Sequence, residues 1–160
     1  MKVICLGGGP AGLYLAISMK LRDPSHEVVV VERNKPTDTF GWGVVLSDET
    51  MEHLRANDPV SAAEVLSNFA HWDDVEVSIQ GESHRSSGHG FCGIGRMKLL
   101  NLLQARALEL GAQLQFETET TAEDIERYRQ EYDLVVACDG LNSLVRRSYE
   151  SQFKLSLIHI

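Results

Sequence analysis

The fold of this chain is decided by residues 2–32, which read KVICLGGGPAGLYLAISMKLRDPSHEVVVVE. The apolar run Lys2–Leu6 leads into glycines at positions 7, 9 and 12, whose spacing is G-x-G-x-x-G. A helical stretch over residues 9–21 and a second apolar strand over residues 27–32 follow. Strand, glycine turn, helix, strand and terminal acid, in this order, predict a βαβ unit that binds the ADP half of a dinucleotide.

The glycine turn predicts a binding site for a pyrophosphate. Gly7 lets the chain turn sharply off the strand, Gly9 lets backbone approach the phosphates, and Gly12 lets the helix pack close to the sheet. Pro10 is tolerated in the first helical turn, where Ala11 follows it. The helix N-terminus presents free N–H groups and a positive dipole end to the phosphates, so all five residues are predicted to bind the cofactor.

Glu32 ends the second strand about 20 residues after Gly12, at the position of the acid that contacts the ribose in such units. Its carboxylate can accept hydrogen bonds from the ribose hydroxyls and would repel a 2′-phosphate. The pattern therefore favours FAD or NAD over NADP. The alternative is an ordinary βα turn without a ligand. That alternative does not explain why the flanking strands, the helix and the terminal acid all occur at the positions of a dinucleotide-binding unit.

Composition and charge disfavour several other classes of protein. The 160 residues, a hydrophobic content of 43% and a formal net charge of −8 suit a globular domain and argue against nucleic acids and membrane surfaces as partners. No apolar run approaches transmembrane length, so we expect a cytoplasmic protein. Cys5, Cys92 and Cys138 form no C-x-x-C pair, which argues against a disulfide framework or a zinc site. No metal ligand is assigned, and Cys5 and Cys138 are predicted to be small core residues.

Downstream residue patterns predict an α/β fold with a doubly wound sheet. Residues 34–42 and 86–95 are predicted to be loops, and Ser47 or Asp48 is predicted to cap a helix that runs to Arg55. The remaining predicted elements are helices over residues 60–69, 97–110 and 122–129, a hairpin strand over residues 75–79, and strands over residues 113–117 and 133–138. The last of these strands is expected to be buried on both faces, as parallel strands are.

Three further motifs complete a resemblance to a known family. Arg33 follows Glu32, Arg96 opens the helical stretch RMKLLNLL, and the last predicted strand leads into CDGLNS at residues 138–143. Residues 1–150 thereby resemble the single-component FAD-dependent aromatic hydroxylases, the group that includes p-hydroxybenzoate hydroxylase. More narrowly, FGWGVVLSDET at residues 40–50 and GHGFCG at residues 88–93 resemble the aryl-CoA monooxygenases of this family.

The resemblance implies cofactor contacts for four further residues. Arg33 would lie near the adenine, Arg96 would contact FAD, and Asp139 with Gly140 would lie where the flavin diphosphate and, transiently, the nicotinamide cofactor bind. A cation at the start of a helix opposes the dipole, so Arg96 needs an anionic partner, although it could also be a surface residue. Asp139 could instead cap a turn or a helix.

The resemblance also implies an activity. Family members bind FAD, reduce it with NAD(P)H and use O₂ to hydroxylate an electron-rich ring, here in an aryl-CoA thioester of the salicylyl-CoA or 2-aminobenzoyl-CoA type. Trp42 and Gly43 would lie by the ribityl chain or the flavin ring, although Trp42 could equally be a core residue or a loop anchor. No catalytic residue is assigned. Two alternatives stay open, an FAD-dependent reductase or dehydrogenase of the same fold and a non-catalytic nucleotide-binding module.

By the same resemblance, the fold class is a Rossmann-like (GR2-type) FAD-binding domain with a parallel sheet and the beginning of a second, β-rich substrate domain. Residues 1–74 and 95–154 are assigned to the FAD-binding domain, and residues 75–94 to an excursion into the substrate-domain sheet. Residues 155–160 read LSLIHI and resemble one translated reading frame of a transposon-end sequencing adapter. We therefore expect a truncated chain whose last residues are not native. The alternative is a real apolar C-terminal strand.

Overall fold

The structure is a computed structural model, and it describes residues 1–152 of the chain. Within that range the strands are, in chain order, β1 (Lys2–Leu6), β2 (Glu27–Val31), β3 (Gly43–Ser47), β4 (Ala70–Trp72), β5 (Val75–Ile79), β6 (Glu82–Ser86), β7 (Phe91–Gly95), β8 (Gln113–Gln115) and β9 (Leu134–Ala137). The helices are α1 (Pro10–Arg22), α2 (Asp48–Asn57), α3 (Pro59–Leu66), α4 (Arg96–Glu109), α5 (Ala122–Glu131) and α6 (Leu144–Ser148). The tail predicted at residues 155–160 lies outside the described residues.

The first compact unit comprises Met1–Pro36 and the chain from Leu103 onward. Its strands form a parallel sheet in the order β8-β2-β1-β9. The chain starts in the middle of the sheet, winds outward through β2 to β8, and then returns to pair β9 with the other edge of β1. The direction of winding therefore reverses between β1 and β9, and such a reversal opens a crevice at the carboxyl ends of the two strands. The predicted doubly wound α/β sheet is confirmed.

Helices pack on this sheet because its two central strands are apolar on both faces. One buried cluster joins alternate residues of β1 and β2 to α5 and consists of Ile4, Leu6, Val29, Val31, Ile125 and Tyr128. Helix α1 also packs on both central strands and contributes no residue to this cluster. Its buried apolar side chains are Leu13, Ala16 and Ile17. Cys5 is fully buried, as predicted, whereas Cys138 follows the end of β9 and is only half-buried.

The strand β9 corrects one prediction. It was expected to be buried on both faces, yet Leu134 is 38% exposed and Ala137 is also exposed. The strand pairs with β1 alone and forms an edge of the sheet built by the described residues. Apolar composition predicted the strand itself correctly, but burial depends on neighbours that a single stretch of sequence does not reveal.

The second compact unit is Thr37–Leu102. It contains an antiparallel sheet in the order β3-β7-β4 and the separate hairpin β5-β6, in which the predicted strand Val75–Ile79 pairs with Glu82–Ser86. Helix α2 begins as predicted, because the Ser47 hydroxyl accepts a hydrogen bond from the Thr50 N–H at 3.3 Å. The sequence-based assignment of residues 75–94 to a substrate domain stays a prediction.

Within this unit, the loop predicted over residues 86–95 is wrong. Its second half is β7, which pairs with both β3 and β4, two strands that no sequence pattern predicted. The glycines suggested a loop, but Gly93 has a packing role: an added Cβ would lie 2.8 Å from Cζ3 of Trp72. Glycine is required there because an indole ring lies directly on the strand.

The buried thiol of Cys5 makes the stability of the first unit depend on pH. Burial, and secondarily the charge of Cys138, raises the pKa of Cys5 from 9.0 to about 12. The folded chain keeps this proton while the unfolded chain loses it, so this contribution to stability is complete below pH 9 and is lost between pH 9 and 12. The titration of the Cys5 thiol should therefore lower the free energy of unfolding by about 1 kcal/mol when the pH is raised from about 8 to about 10.

Urea unfolding of the unmodified chain and of Cys5→Ala, each at both pH values, measures this contribution. The substitution also removes packing, so the comparison concerns the change with pH and not the absolute stability. We expect the pH-dependent loss to be smaller in Cys5→Ala. Equal losses in the two chains would show that Cys5 has no such role.

Candidate functional site

A pocket of about 380 Å³ lies where the order of the parallel sheet reverses. Its lining comes from the first turn of α1, the end of β9, the turn that follows and α6, and comprises Ala11, Ala137, Cys138, Asp139, Gly140, Ser143, Val145 and Arg146. Doubly wound sheets bind their ligands in this crevice, beyond the carboxyl ends of the strands. The pocket is thus the first candidate for a ligand site.

The glycines of the turn differ in what surrounds them. Gly7 has φ +117°, and a Cβ there would lie 2.3 Å from the carbonyl oxygen of Cys138. A Cβ on Gly12 would lie 2.0 Å from the carbonyl oxygen of Gly7. At Gly9, by contrast, an added Cβ would meet nothing within 4 Å. Close packing therefore requires glycine at positions 7 and 12. Gly9 instead borders the open space that a phosphate would need.

The start of α1 is suited to an anion. Gly9 is the N-cap residue and provides no side-chain hydrogen bond, and Pro10 occupies the first turn, which contains no acidic residue. The N–H groups of that turn therefore keep their positive partial charge, with no capping side chain to offset it. Pro10 and Ala11 lie where the sequence predicted a contact with the pyrophosphate, and this contact stays a prediction.

Glu32 is tied to the glycine turn by hydrogen bonds. Its Oε2 accepts one from the Gly8 N–H at 2.8 Å, and its Oε1 accepts two from Asn34, at 2.8 Å from the backbone and 2.6 Å from the side chain. A Cβ on Gly8 would lie 2.7 Å from the Cβ of Glu32, so the carboxylate lies directly beside the turn. The residue predicted to bind the ribose therefore also fixes the shape of the turn. The roles of Gly8 and Asn34 have no signal in the sequence.

Removing the carboxylate of Glu32 should destabilise the first unit. In Glu32→Ala the three donors lose their acceptor, and we expect the free energy of unfolding to fall by about 1–3 kcal/mol. The neighbouring Arg33→Ala is the matched control, because Arg33 is exposed and its removal should change stability by less than about 0.5 kcal/mol. Urea unfolding of both variants tests this difference, and equal stabilities would refute the role of Glu32.

Asp139 combines two roles directly after β9. Its Oδ2 accepts hydrogen bonds from the N–H groups of Leu144 at 2.7 Å and Val145 at 3.4 Å, so the residue helps the N-cap residue Ser143 to cap α6, as the alternative interpretation predicted. Its Oδ1 is buried and has no hydrogen-bond partner. Buried carboxylate oxygens rarely lack a partner, so this oxygen, on a residue that lines the pocket, can accept a hydrogen bond from a ligand hydroxyl.

Gly140 continues from Asp139 into the turn before α6. It has φ +76°, a conformation that residues with a side chain rarely adopt, and its carbonyl accepts a hydrogen bond from the Ser143 N–H at 3.1 Å. An added Cβ would meet nothing within 4 Å. The glycine is therefore required by the backbone conformation, and it borders the same pocket.

The predicted site residues of the second unit lie at the edge strand β3 and the start of α4. The Trp42 side chain is 98% exposed, so it is neither a core residue nor a loop anchor, and its carbonyl accepts a hydrogen bond from the Arg96 N–H at 3.1 Å. Gly43 packs tightly, since an added Cβ would lie 3.1 Å from the Ile94 carbonyl oxygen. The Nε of Arg96 is buried without a partner. This buried donor is what an anionic ligand would satisfy.

These features define the class of protein. A parallel sheet in this order, with a glycine turn, a helix that begins without a side-chain cap and an acid at the end of the second strand, is a doubly wound dinucleotide-binding domain. Residues 1–156 match the model of the FAD binding domain family, and the chain belongs to that family. FAD as the cofactor and the resemblance to FAD-dependent hydroxylases are therefore confirmed. The open space at Gly9 and the unpartnered oxygen of Asp139 fit such a cofactor.

Named relatives share the sequence over most of this chain. It is 45% identical over 155 residues to salicyloyl-CoA 5-hydroxylase from a Streptomyces species, covering 96% of this chain and 29% of the relative. It is 35% identical over 146 residues to protodeoxyviolaceinate monooxygenase from Chromobacterium violaceum, covering 89% of this chain and 38% of the relative. The chain therefore spans less than two fifths of either relative.

A solved structure shares the fold. The tetrameric form of 2-methyl-3-hydroxypyridine-5-carboxylic acid oxygenase superposes with a TM-score of 0.65 at 24% identity, over 74% of this chain and 32% of that one. This likeness supports the doubly wound architecture and nothing further. Among the described residues, every helix is too short or too polar to cross a lipid bilayer.

Proposed function

We propose that the protein containing this chain is an FAD-dependent monooxygenase that uses NAD(P)H and O₂ to hydroxylate an aromatic ring. We propose further that its substrate is an aryl-CoA thioester of the salicylyl-CoA or 2-aminobenzoyl-CoA type. The observation that carries this proposal is the 45% identity to a salicyloyl-CoA 5-hydroxylase over 96% of the chain. Membership of the FAD binding domain family supports the cofactor. Action in the cytoplasm stays a prediction from composition.

In this proposal the residues of the first unit hold the cofactor. The N-terminus of α1, with Gly9 at its start, binds the pyrophosphate, and Glu32 accepts hydrogen bonds from the adenosine ribose. The free oxygen of Asp139 accepts one from a cofactor hydroxyl. FAD supplies the redox and oxygen chemistry, and the side chains bind and orient it.

The remaining predicted contacts are part of the same proposal. Arg33 lies near the adenine, Arg96 satisfies its buried Nε with an anionic group of the cofactor, and Trp42 and Gly43 lie by the ribityl chain or the flavin ring. The exposure of Trp42 supports this, because a large aromatic side chain that is 98% exposed is available to a ligand.

The test uses the protein encoded by the whole reading frame that contains this chain. With salicylyl-CoA or 2-aminobenzoyl-CoA present, we expect NAD(P)H consumption to require O₂ and to yield one hydroxylated product per NAD(P)H. A reductase of the same fold would consume NAD(P)H without O₂ and would return a reduced substrate. A non-catalytic module would bind FAD and consume no NAD(P)H with any of these substrates. Either of the last two results would overturn the proposal.

A further inference from the structure

Asp48, His71 and Cys92 lie together in the second unit although they are far apart in the sequence. Asp48 is the first residue of α2, His71 lies in β4 and Cys92 lies in β7. The antiparallel register of β4 and β7 sets His71 directly opposite Cys92. One potential ligand atom from each of the three side chains lies within 4.8 Å of the other two. Strand pairing and the start of a helix thus bring oxygen, nitrogen and sulfur donors to one point.

Each nitrogen of the His71 imidazole has a polar neighbour. Nδ1 lies 3.2 Å from the Cys92 Sγ, and Nε2 lies 3.7 Å from Oδ1 of Asp73. At 3.7 Å the Nε2–Oδ1 pair is too far apart for a hydrogen bond. A metal ion at this point would take the lone pair of Nδ1, with the ring proton on Nε2.

Asp48 is also held close to the other two side chains. Its N–H donates a hydrogen bond to the Gly90 carbonyl oxygen at 3.2 Å, which ties the first turn of α2 to the residue that precedes β7. Gly90 permits this approach because an added Cβ would lie 1.8 Å from Oδ2 of Asp48. Any side chain at position 90 would collide with the carboxylate.

We propose that Asp48, His71 and Cys92 bind one divalent transition-metal ion, and that Zn²⁺ fits this donor set best. Zinc accepts thiolate, imidazole and carboxylate ligands in tetrahedral sites, whereas Ca²⁺ and Mg²⁺ take oxygen ligands. Three protein ligands leave one position of the tetrahedron to water. None of the three ligands is among the residues that the proposed function assigns to FAD.

Coordination exchanges one proton for the metal. In the metal-free chain the sulfur of Cys92 is a thiol, because an ordinary cysteine keeps its proton at neutral pH. When the ion binds, the S–H bond breaks, a metal–sulfur bond forms and the proton passes to solvent. The positive charge of the ion then offsets the repulsion between the thiolate and the Asp48 carboxylate. Without the ion, the same geometry is a hydrogen bond between the Cys92 thiol and Nδ1 of His71.

Metal titrations of the metal-free 160-residue chain distinguish a metal site from a simple hydrogen bond between Cys92 and His71. Calorimetry with ZnCl₂ should show one ion per chain, and CaCl₂ should give no saturable heat. Titration with CoCl₂ should produce a thiolate-to-cobalt charge-transfer absorption in the near ultraviolet, which arises only when sulfur is a ligand. This readout tests the unmodified chain and needs no substitution.

Substitutions then assign the ligands. Cys92→Ser and His71→Ala should each weaken Zn²⁺ binding by more than the roughly 10–100-fold that loss of a hydrogen-bonded partner of a ligand costs. His84→Ala is the matched control, because His84 is an exposed histidine of β6 outside the cluster, and binding should not change. Circular dichroism verifies that each variant is folded. Absence of saturable Zn²⁺ binding, a cobalt complex without the sulfur band, or equal binding in Cys92→Ser would overturn the proposal.

Discussion

Gly12→Ala is expected to destabilise the first unit by about 3 kcal/mol. The new Cβ would lie 2.0 Å from the Gly7 carbonyl oxygen and 3.3 Å from the Cβ of Cys138. A backbone oxygen cannot rotate away as a flexible side chain can. Either α1 must lift off the sheet or the turn must open, and both changes lose the packing of Leu13, Ala16 and Ile17.

Gly9→Ala is the matched control, and we expect it to leave the chain folded but to weaken FAD binding. At Gly9, φ is −73° and an added Cβ meets nothing, so the fold accepts the methyl group at the cost of about 0.5–1 kcal/mol for a poorer helix cap. The methyl group would occupy the space that the phosphates need, so FAD binding should weaken although the chain remains folded.

Urea unfolding and FAD titration of both variants measure these effects. A Gly12→Ala chain as stable as the unmodified one would contradict the packing argument. Unchanged FAD affinity in Gly9→Ala would show that the pyrophosphate does not bind beside Gly9.

Substitutions of Asp139 are expected to separate its two roles. Asp139→Ala removes the acceptor of the Leu144 and Val145 N–H groups, so the free energy of unfolding should fall by about 1–2 kcal/mol. It also removes the free oxygen that lies at the pocket. Loss of a hydrogen bond to a charged acceptor corresponds to roughly 10–100-fold weaker FAD binding.

Asp139→Asn should keep the helix cap and still weaken FAD binding. The amide oxygen can accept the hydrogen bond from Leu144, which leaves the NH₂ group in the place of Oδ1. A cofactor hydroxyl that donated to the carboxylate then meets a donor instead of an acceptor. We expect near-native unfolding in urea together with FAD affinity reduced about tenfold. Unchanged FAD affinity in both variants would show that Asp139 only caps the helix and does not contact the cofactor.

Local patterns in the sequence predicted the parts of the fold that depend on local interactions. The spacing of the glycines between two apolar strands predicted β1, α1 and β2, and the apolar pattern over residues 97–110 predicted α4. The sequence predicted a doubly wound sheet but not the order of its strands, which depends on pairing between distant segments.

The strands that the sequence missed depend on partners distant in the chain. β4 has only three residues and is stable as a strand because β7 pairs with it. β7 contains Gly93 and Gly95, which suggest a loop when read alone. The same limit explains β9, whose exposure is set by its position at the edge of the sheet.

In the candidate site, too, local sequence predicted some features and contacts between distant residues determined the others. Motif positions identified Gly12, Glu32 and Asp139, but gave no sign that Glu32 binds the Gly8 N–H or that one oxygen of Asp139 is left over. Those properties arise from backbone atoms that the fold brings close. The same holds for Cys92, which the spacing of cysteines argued against as a metal ligand and which strand pairing sets beside His71.

The most direct test of the account is calorimetric titration of FAD into the 160-residue chain, with ADP and FMN as competitors. The structural elements that form the site, the start of α1 and Glu32 at the end of β2, are those that bind the ADP half of a dinucleotide. We predict one FAD per chain, displaced by ADP and not by FMN. A folded chain that binds neither FAD nor ADP, or one from which FMN displaces FAD as readily as ADP does, would contradict the account.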